Sequence, residues 1–272
     1  MNPKALLEQY DIVPRKSLGQ NFLHDPNMLD KIVATAGLHA EDTVLEVGPG
    51  TGLLTERLAR AVARVVTVEV DERLKPVLEE TLAPYENVEL IFQDILHVDV
   101  ETVMRTEPYS VVANVPYYIT SAILRHLLEI RHRPRRLVLT VQFEVAERLI
   151  AKPNDMSILA VSVQFYGRPQ IAARLKPSVF WPRPDVDSAL VLIDTFQQPP
   201  VEIPNEKLFF RVVRAGFGQK RKQLKNSISS GLDLNAEQSA LLFRRAEIDP
   251  SRRPETLRLE EWAALARAFA GL

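Results

Sequence analysis

The chain has 272 residues, of which 46% are hydrophobic and 25% are charged, and its formal net charge is -1. Such a length allows one large α/β domain with a smaller partner domain, and the near-neutral charge means that any nucleic-acid binding depends on local clusters of the 34 Lys and Arg residues. The absence of cysteine excludes disulfides, cysteine-ligated zinc, iron–sulfur clusters and thiolate nucleophiles.

The sequence predicts neither a membrane anchor nor a metal site. Charged residues interrupt residues 1–14, which therefore lack the apolar core of a signal peptide, and no run approaches the ~18 to 20 apolar residues of a membrane span. The five histidines lack the mutual spacing of a metal site. Together with the absence of cysteine, these features fit a cytoplasmic protein without a bound metal.

The first part of the chain is predicted to hold a lead-in, a polar loop and a helix. Residues 1–14 form a short, poorly anchored lead-in, and Lys16–Leu23 is typical of a solvated loop closed by two apolar residues. An Asp-Pro pair at positions 25 and 26 then begins a helix with one apolar face, which Gly37 ends.

A glycine turn follows the first predicted strand, which covers 43–47. The turn contains Gly48, Gly50 and Gly52. Glycines at this point let a ligand approach the backbone next to the positive end of a helix. The dinucleotide fingerprint requires glycines at the first, third and sixth positions, but the sixth is Leu53, and Glu46 precedes the turn inside the strand. Both departures disfavour a nicotinamide oxidoreductase.

Acidic residues follow the next two predicted strands. The strand over 64–68 leads into Glu69 and Asp71, and the strand over 88–92 leads into Asp94. A carboxylate at the tip of the second strand is suited to accept hydrogen bonds from both ribose hydroxyls, whereas Asp71 fits better as a helix cap. Asp94 fits two roles equally: an acceptor for the exocyclic amine of an adenine, or the cap of a turn.

The fourth predicted strand, over 110–113, ends in the tetrapeptide Asn114-Val115-Pro116-Tyr117, and an amphipathic helix follows. The Asn114 side chain and the Pro116 carbonyl can accept hydrogen bonds from an amino group, while Tyr117 offers a ring to a planar base. Taken alone, the tetrapeptide is more often just a turn.

Alternation of strands and helices predicts a parallel, doubly wound sheet. Four of its strands are followed by candidate ligand residues, namely Gly48, Glu69, Asp94 and Asn114. Ligands bind outside the carboxyl ends of the strands in such a sheet. The convergence of these residues on one edge predicts a ligand site more strongly than any single motif.

The elements that follow are less clearly patterned. We predict strands over 137–142, 171–175 and 188–194 and a helix over 144–150, whereas 157–165 fits either a helix or a strand. Two prolines stiffen the loop Phe180–Pro184, so that an aromatic ring on it could form a second stacking surface. We interpret Trp181 as a core residue.

Beyond a predicted linker at 197–200 the pattern is purely helical. Helices are expected near 205–217, 220–229, 236–245 and 259–270. Basic residues in this region and in the loop 131–136 could form a phosphate-binding surface. The candidates are Arg131, Arg133, Arg135, Arg136, Lys207, Arg211, Arg214, Lys220, Arg221, Lys222 and Lys225.

With these segments assembled, the chain resembles the ribosomal RNA adenine dimethyltransferases, most closely the small-subunit type. The matching segments are Lys16–Leu23 (KSLGQNFL), Glu46–Gly52 (EVGPGTG), Val68–Asp71 (VEVD), Asn114–Tyr117 (NVPY), Phe180–Ser188 (FWPRPDVDS), Phe217–Asn226 (FGQKRKQLKN) and Arg253–Leu257 (RPETL). They span nearly the whole chain in the family's order. One departure is Phe143, where the resemblance leads us to expect Lys and which would weaken one RNA contact.

The resemblance implies a Rossmann-like class I methyltransferase domain over 1–197, which binds S-adenosyl-L-methionine, and a helical C-terminal domain over 204–272, which contacts RNA. It carries over as cofactor contacts Asn21, Leu23, Gly48, Gly50, Glu69, Asp94 and Asn114. It carries over as catalytic residues Asn114, Pro116, Tyr117 and Phe180. Tyr117 and Phe180 would stack on opposite faces of the substrate base.

The reaction implied is dimethylation of two adjacent adenosines, at the exocyclic amine, in the loop of the 3'-terminal hairpin of 16S rRNA. The implied partner is the small (30S) ribosomal subunit, with a role in its biogenesis, and a monomer is expected. Two alternatives stay open: a dimethyltransferase of large-subunit rRNA, which shares the cofactor motifs, and a non-catalytic ribosome assembly factor. Methylation at a pyrimidine carbon is disfavoured because it commonly uses a cysteine nucleophile.

Overall fold

The computed structural model describes residues 3–105, 108–219 and 221–272. By internal contacts the chain divides into two compact units, Met1–Ala146 with Arg168–Thr195, and Glu147–Gly167 with Phe196–Leu272. Residues 147–167 thus group with the C-terminal helices, although the sequence analysis assigned them to the first domain. The two domains as functional entities stay a prediction.

The first unit is built on a seven-stranded sheet. In chain order the strands of the structure are β1 (Phe22–Leu23), β2 (Thr43–Val47), β3 (Arg64–Glu69), β4 (Val88–Phe92), β5 (Tyr109–Asn114), β6 (Arg136–Gln142), β7 (Gly167–Leu175), β8 (Phe180–Trp181) and β9 (Ser188–Thr195). The order across the sheet is β4-β3-β2-β5-β6-β9-β7. The pairs among β2 to β6 are parallel, and β9 runs antiparallel to β6. The predicted α/β fold with a mostly parallel sheet is confirmed.

Helices connect these strands. They are α1 (Pro3–Gln9), α2 (Pro26–Ala36), α3 (Leu53–Ala61), α4 (Lys75–Leu82), α5 (Val100–Met104), α6 (Thr120–Leu128) and α7 (Phe143–Leu149), which runs across the division between the units. The predicted start of α2 is confirmed, because the Asp25 side chain accepts a hydrogen bond from the Met28 amide at 3.0 Å. Its end at Gly37 is confirmed too, with a φ of +58° that favours glycine.

The N-terminal segment corrects the sequence analysis. The predicted lead-in forms α1, whose Leu6 and Leu7 are buried against Leu74 and Leu78. The predicted polar loop forms a 3-10 turn over Lys16–Leu18 and then β1, which pairs antiparallel with β8. Short-range patterns did not indicate either element because the partners of both lie far away in the sequence.

We expect Leu7→Ala to lower the free energy of unfolding by about 2–5 kcal/mol, because the side chain is fully buried and its removal leaves a cavity. Urea denaturation followed by circular dichroism measures this change. Val13→Ala is the matched control: Val13 is 71% exposed, and its truncation should change stability by no more than about 0.5 kcal/mol. Equal stability of wild type and Leu7→Ala would show that α1 is not anchored.

The second unit is helical. Its helices are α8 (Ile158–Tyr166), α9 (Glu206–Phe217), α10 (Leu224–Leu232), α11 (Ala236–Ala246) and α12 (Leu259–Ala270). The ambiguous segment near 157–165 is thus a helix, capped by the Ser157 side chain. Most of α8 is buried, so the periodicity that identifies a surface helix is missing. The helix predicted from 220 begins at Leu224, and Lys220 lies outside the described residues.

Candidate active site

The carboxyl ends of β2, β3, β4 and β5 border one cavity in the first unit. Its empty volume is about 1060 Å³, which includes space open to solvent. The cavity is lined by every predicted cofactor residue, namely Asn21, Leu23, Gly48, Gly50, Glu69, Asp94 and Asn114, and by the predicted catalytic residues Pro116 and Tyr117. The structure therefore brings together residues that the sequence spreads over about 100 positions.

The glycine turn allows close approach to the backbone. The Gly48 amide donates to the Val68 carbonyl at 2.9 Å, which ties the start of the turn to β3. Gly50 has a φ of +59°, and a Cβ atom there would lie 2.7 Å from the Phe22 ring. Only glycine fits at position 50, since both the backbone conformation and the space exclude a side chain.

Glu69 ends β3 with a carboxylate directed at the cavity. Its Oε1 accepts from the amides of Val70 and Asp71, both at 2.9 Å, and its Oε2 accepts from the Gly50 amide at 3.3 Å. Oε1 thereby uses both of its lone pairs, whereas Oε2 keeps one for a further donor. A hydroxyl group such as one of those of a ribose can supply this donor.

Burial raises the pKa of Glu69 to about 6, and the nearby Asp71 carboxylate adds to the rise, while the three backbone amides oppose it. The ionised carboxylate is the stronger acceptor for hydroxyl groups. Because the pKa is raised, this form is lost as the pH falls through 6, well above the ordinary range of a glutamate.

We expect cofactor affinity to fall about tenfold between pH 7 and pH 5, because a carboxyl with a pKa of about 6 is about nine-tenths protonated at pH 5. Calorimetric titration of S-adenosyl-L-methionine at several pH values measures this. Burial also raises the pKa of Glu46 to about 7, so the Glu69→Gln variant, which retains Glu46, is the control. If the affinity of Glu69→Gln fell by the same factor between pH 7 and pH 5, a group other than Glu69 would be the cause of the pH dependence.

Glu46 lies beneath the glycine turn and is fully buried. Its Oε2 accepts from the Thr55 hydroxyl at 2.6 Å, and its Oε1 has no hydrogen-bond partner among the described residues. In the sequence, Glu46 is distinguished only as a departure from the dinucleotide fingerprint. The hydrogen bond from Thr55 connects β2 to α3 across the glycine turn.

Asp94 has one of its two predicted roles, the cap of a turn, whereas its role as acceptor for an adenine amine stays a prediction. Its Oδ1 accepts from the Leu96 amide at 2.9 Å and so caps a 3-10 turn over Ile95–His97. The residue is half-buried and lines the cavity. The second carboxylate oxygen is therefore the one suited to an amine.

Asn114 is oriented by the N-terminal segment. Its Nδ2 donates to the Asn21 carbonyl at 2.8 Å. Its Oδ1 makes no hydrogen bond within the described part of the chain, and because Nδ2 is engaged, this oxygen is the free end of the amide. The Pro116 carbonyl already accepts from the Ile119 amide at 3.2 Å and, more weakly, from the Thr120 hydroxyl at 3.4 Å. Binding an amine at this carbonyl therefore requires replacement of the hydroxyl.

Two tyrosines lie at the mouth of the site. The Tyr117 hydroxyl and Ser188 Oγ are 2.5 Å apart, which fixes the ring, and burial raises the pKa of Tyr117. Tyr118 lines the cavity as well and is 64% exposed. Tyr118 was not among the predicted site residues, although its position directly after the tetrapeptide was an available signal.

Phe180 is a correction. Its side chain is 1% exposed in the hydrophobic core and does not line the cavity, so no ring face is free for a base. Trp181, which we interpreted as core, is half-buried and stacks on Phe22 with 6.5 Å between ring centroids. Neighbouring residues of a strand point to opposite faces, so in β8, which pairs with β1, Phe180 lies in one core cluster and Trp181 packs against another.

The predicted RNA-binding cations of the loop 131–136 are mostly engaged. Arg135 forms an ion pair with Asp42, Arg136 donates to Asp194 at 2.7 Å, and Arg133 donates to the Leu128 carbonyl at 2.7 Å. Arg131 is exposed. The Arg135 amide donates to the Tyr109 carbonyl at 2.9 Å, at the start of β5. The loop therefore lies at the amino end of β5, whereas Asn114 lies at its carboxyl end.

The cations of the second unit are more accessible. Lys207, Arg211 and Arg214 are exposed on α9, with the Arg211 guanidinium 5.2 Å from the centroid of the Phe269 ring. Arg221, Lys222 and Lys225 are exposed as well. No group of His, Asp or Glu side chains within 3–105, 108–219 and 221–272 could hold a metal ion. Within the same ranges, every helix is too short or too polar to cross a membrane.

The cavity fits a nucleoside with an amino-acid tail. Glu69 Oε2 keeps an acceptor site for ribose, Asp94 offers a carboxylate oxygen, and the backbone is open at Gly48, where a Cβ atom would meet only the Asn114 carbonyl at 3.7 Å. A mostly parallel seven-stranded sheet in which β9 runs antiparallel to β6, with this site at the carboxyl ends of its parallel strands, defines a class: the Rossmann-like class I S-adenosyl-L-methionine-dependent methyltransferases.

Comparison with known proteins gives the family. The model of the ribosomal RNA adenine dimethylase family matches residues 13–270, and the chain belongs to this family. The ribosomal RNA small subunit methyltransferase A of Dehalococcoides mccartyi is 44% identical over 269 residues, which cover 98% of this chain and 92% of that protein. The resemblance stated from the sequence is thereby confirmed.

Solved structures agree with the fold. The 23S rRNA methyltransferase ErmE aligns with a TM-score of 0.72 and 27% identity, covering 92% of this chain and 100% of the other. A dimethyladenosine transferase from Plasmodium falciparum aligns with a TM-score of 0.77 over 92% of this chain and 98% of the other; at 24% identity it supports the fold alone.

Proposed function

We propose that the protein dimethylates two adjacent adenosines of 16S rRNA, at the exocyclic amine, in the loop of the 3'-terminal hairpin. The small (30S) ribosomal subunit is the proposed partner, and the reaction is proposed to belong to its biogenesis. The observation that carries the proposal is the free Oδ1 of Asn114, which shares one cavity with Glu69 and the glycine turn. The family match and the small-subunit relative support the choice of substrate.

The cofactor is proposed to be held by the residues predicted from the sequence. Glu69 would accept from a ribose hydroxyl through Oε2, Asp94 would accept from the adenine amine, and Gly48 would admit the cofactor to the backbone, while Gly50 lines the same cavity. When bound, S-adenosyl-L-methionine supplies an electrophilic methyl group. Asn21 and Leu23 would close the site from the N-terminal segment.

Asn114 is proposed to activate the substrate amine. An adenine amine is a poor nucleophile because its lone pair is delocalised into the ring. A hydrogen bond from the amine to Asn114 Oδ1 favours a pyramidal nitrogen, whose lone pair is localised. The nitrogen carries a positive charge after it has gained a methyl group, and it loses a proton to water without a strong general base. Tyr117 would hold the base by stacking.

The RNA surface is proposed to include the exposed cations of the helical domain, 204–272, while 1–197 performs catalysis. The exposed cations proposed for the RNA surface are Lys207, Arg211, Arg214, Arg221, Lys222 and Lys225. Because small ribosomal subunits are the proposed substrate, the protein is proposed to act in the cytoplasm, and to do so as a monomer.

RNA binding is expected to weaken with salt because bound cations release counterions from phosphates. For a single-stranded contact, Arg211→Gln with Arg214→Gln should reduce the slope of log K against log salt by about 1.4, or ~0.7 for each charge. Filter binding of a 16S rRNA fragment at several salt concentrations measures this. Lys75→Gln, which removes an exposed cation paired with Glu79 on α4, should leave the slope unchanged.

The proposed function is tested by methyl transfer from labelled cofactor to unmethylated small and large ribosomal subunits in separate reactions, followed by nucleoside analysis. Dimethyladenosine in the small subunit alone is the expected result. Product in the large subunit alone would favour the alternative that the structural similarity to ErmE suggests. Subunit binding without product would favour an assembly factor. Tyr117→Phe, which keeps the ring, should retain far more activity than Tyr117→Ala.

A further inference from the structure

A segment over residues 15–23, called the strap here, forms one wall of the cavity. Its residues Leu18 to Leu23 all line the site. Gly19 lies close to the tetrapeptide and the residue that follows it: a Cβ atom at Gly19 would lie 3.3 Å from Pro116 Cβ and 3.4 Å from the Tyr118 ring. The strap is therefore packed against the tetrapeptide, and its Asn21 carbonyl is the group that receives Asn114 Nδ2.

Gln20 fastens the strap to the residues that follow Glu69. Its Nε2 donates to Asp71 Oδ2 at 2.8 Å, and its Oε1 accepts from the Arg15 amide at 2.7 Å within the strap. Asp71 is 3% exposed, and its bond to the half-buried Gln20 is partly buried. Such a bond is costly to lose because the buried carboxylate would keep an unfilled acceptor.

Asp71 is itself held from two sides. Arg73 donates to Asp71 Oδ1 at 2.8 Å and Oδ2 at 2.6 Å, and the Asp71 amide donates to Glu69 Oε1 at 2.9 Å. Arg73 also donates to the Val13 carbonyl at 3.2 Å, just before the strap. A continuous series of contacts thus runs from Glu69 through Asp71 and Gln20 to the strap.

We propose that Gln20 and Asp71 are positioning residues that hold the strap so that the Asn21 carbonyl fixes the Asn114 amide with its oxygen toward the substrate amine. Without the Gln20 bond, the Asn21 carbonyl moves and the Asn114 amide can turn, presenting a donor where an acceptor is needed. This inference rests on the proposed function, since it names residues that act through Asn114.

Gln20→Glu tests the proposal, because it keeps the size of the side chain and its acceptor for the Arg15 amide but removes the donor to Asp71. It also sets two carboxylates against each other. At pH 8 the kcat for methyl transfer to small ribosomal subunits should fall about tenfold to a hundredfold, as in Gln20→Ala. In the Asn114→Ala background the same change should have no further effect, because Gln20 acts through Asn114.

A second readout needs no substrate. The Asn114 side-chain amide signal, assigned by its loss in Asn114→Ala, should shift in the ¹⁵N–¹H spectrum of Gln20→Glu. Gln238→Glu is the matched control, since Gln238 accepts from the Asn235 amide in a capping box on α11 that Glu can preserve. An unshifted Asn114 signal, a wild-type kcat in Gln20→Glu, or additive effects with Asn114→Ala would overturn the inference. Inactive wild type would instead contradict the proposed function, while the spectrum would still decide the inference.

Discussion

Asn114→Ala is expected to lower the rate of methyl transfer by about 10²–10³-fold, the effect of removing one preorganised polar group from a reacting centre. The physical reason is the orientation of the amide: Nδ2 is bound to the Asn21 carbonyl, and Oδ1 is left for the substrate amine. Alanine supplies no acceptor, so the amine lone pair stays delocalised. Single-turnover transfer to small ribosomal subunits measures the change.

The matched control is Asn87→Ala. Asn87 also uses its Nδ2 for backbone carbonyls, those of Ala59 and Val62 at 2.8 and 2.9 Å, but it does not line the cavity. Its loss should lower stability and leave the transfer rate unchanged. Cofactor affinity of Asn114→Ala should change less than the rate. A rate within about threefold of wild type would contradict the role assigned to Asn114.

Glu69→Gln is expected to weaken cofactor binding by about a hundredfold at pH 7.5. The substitution keeps the volume but replaces a charged acceptor, and hydrogen bonds to charged groups contribute about 1.5–3 kcal/mol each. The new amide nitrogen would also face the Gly50 amide if it replaced Oε2, so two donors would oppose each other. Calorimetric titration of S-adenosyl-L-methionine measures the affinity.

Glu69→Gln and Asn114→Ala serve as controls for each other. The first should weaken cofactor binding while a saturating cofactor concentration restores most of the transfer rate, and the second should lose rate that saturation does not restore. Wild-type affinity in Glu69→Gln would remove Glu69 from the cofactor site. The roles proposed for the other residues of the cavity would not change.

The candidate site could be predicted largely from the sequence. Gly48 and Asp94 follow β2 and β4, Glu69 and Asn114 end β3 and β5, and parallel strands have their carboxyl ends on the same side of a sheet. Local pattern therefore determines that these residues converge. The caps of α2 and the start of α3 were predictable for the same reason, because a helix end depends on residues only a few positions apart.

Other features required the tertiary structure. The Asn114 amide is oriented by a carbonyl 93 residues away, and Gln20 reaches Asp71 across 51 residues. The burial of Phe180 depends on the pairing of β8 with β1. Sequence pattern thus determined the fold class and the chemistry at the strand ends, because these follow from local spacing. Only the folded chain decided which end of the Asn114 amide is left unbonded and which aromatic ring is covered, because such contacts join residues that no local pattern connects.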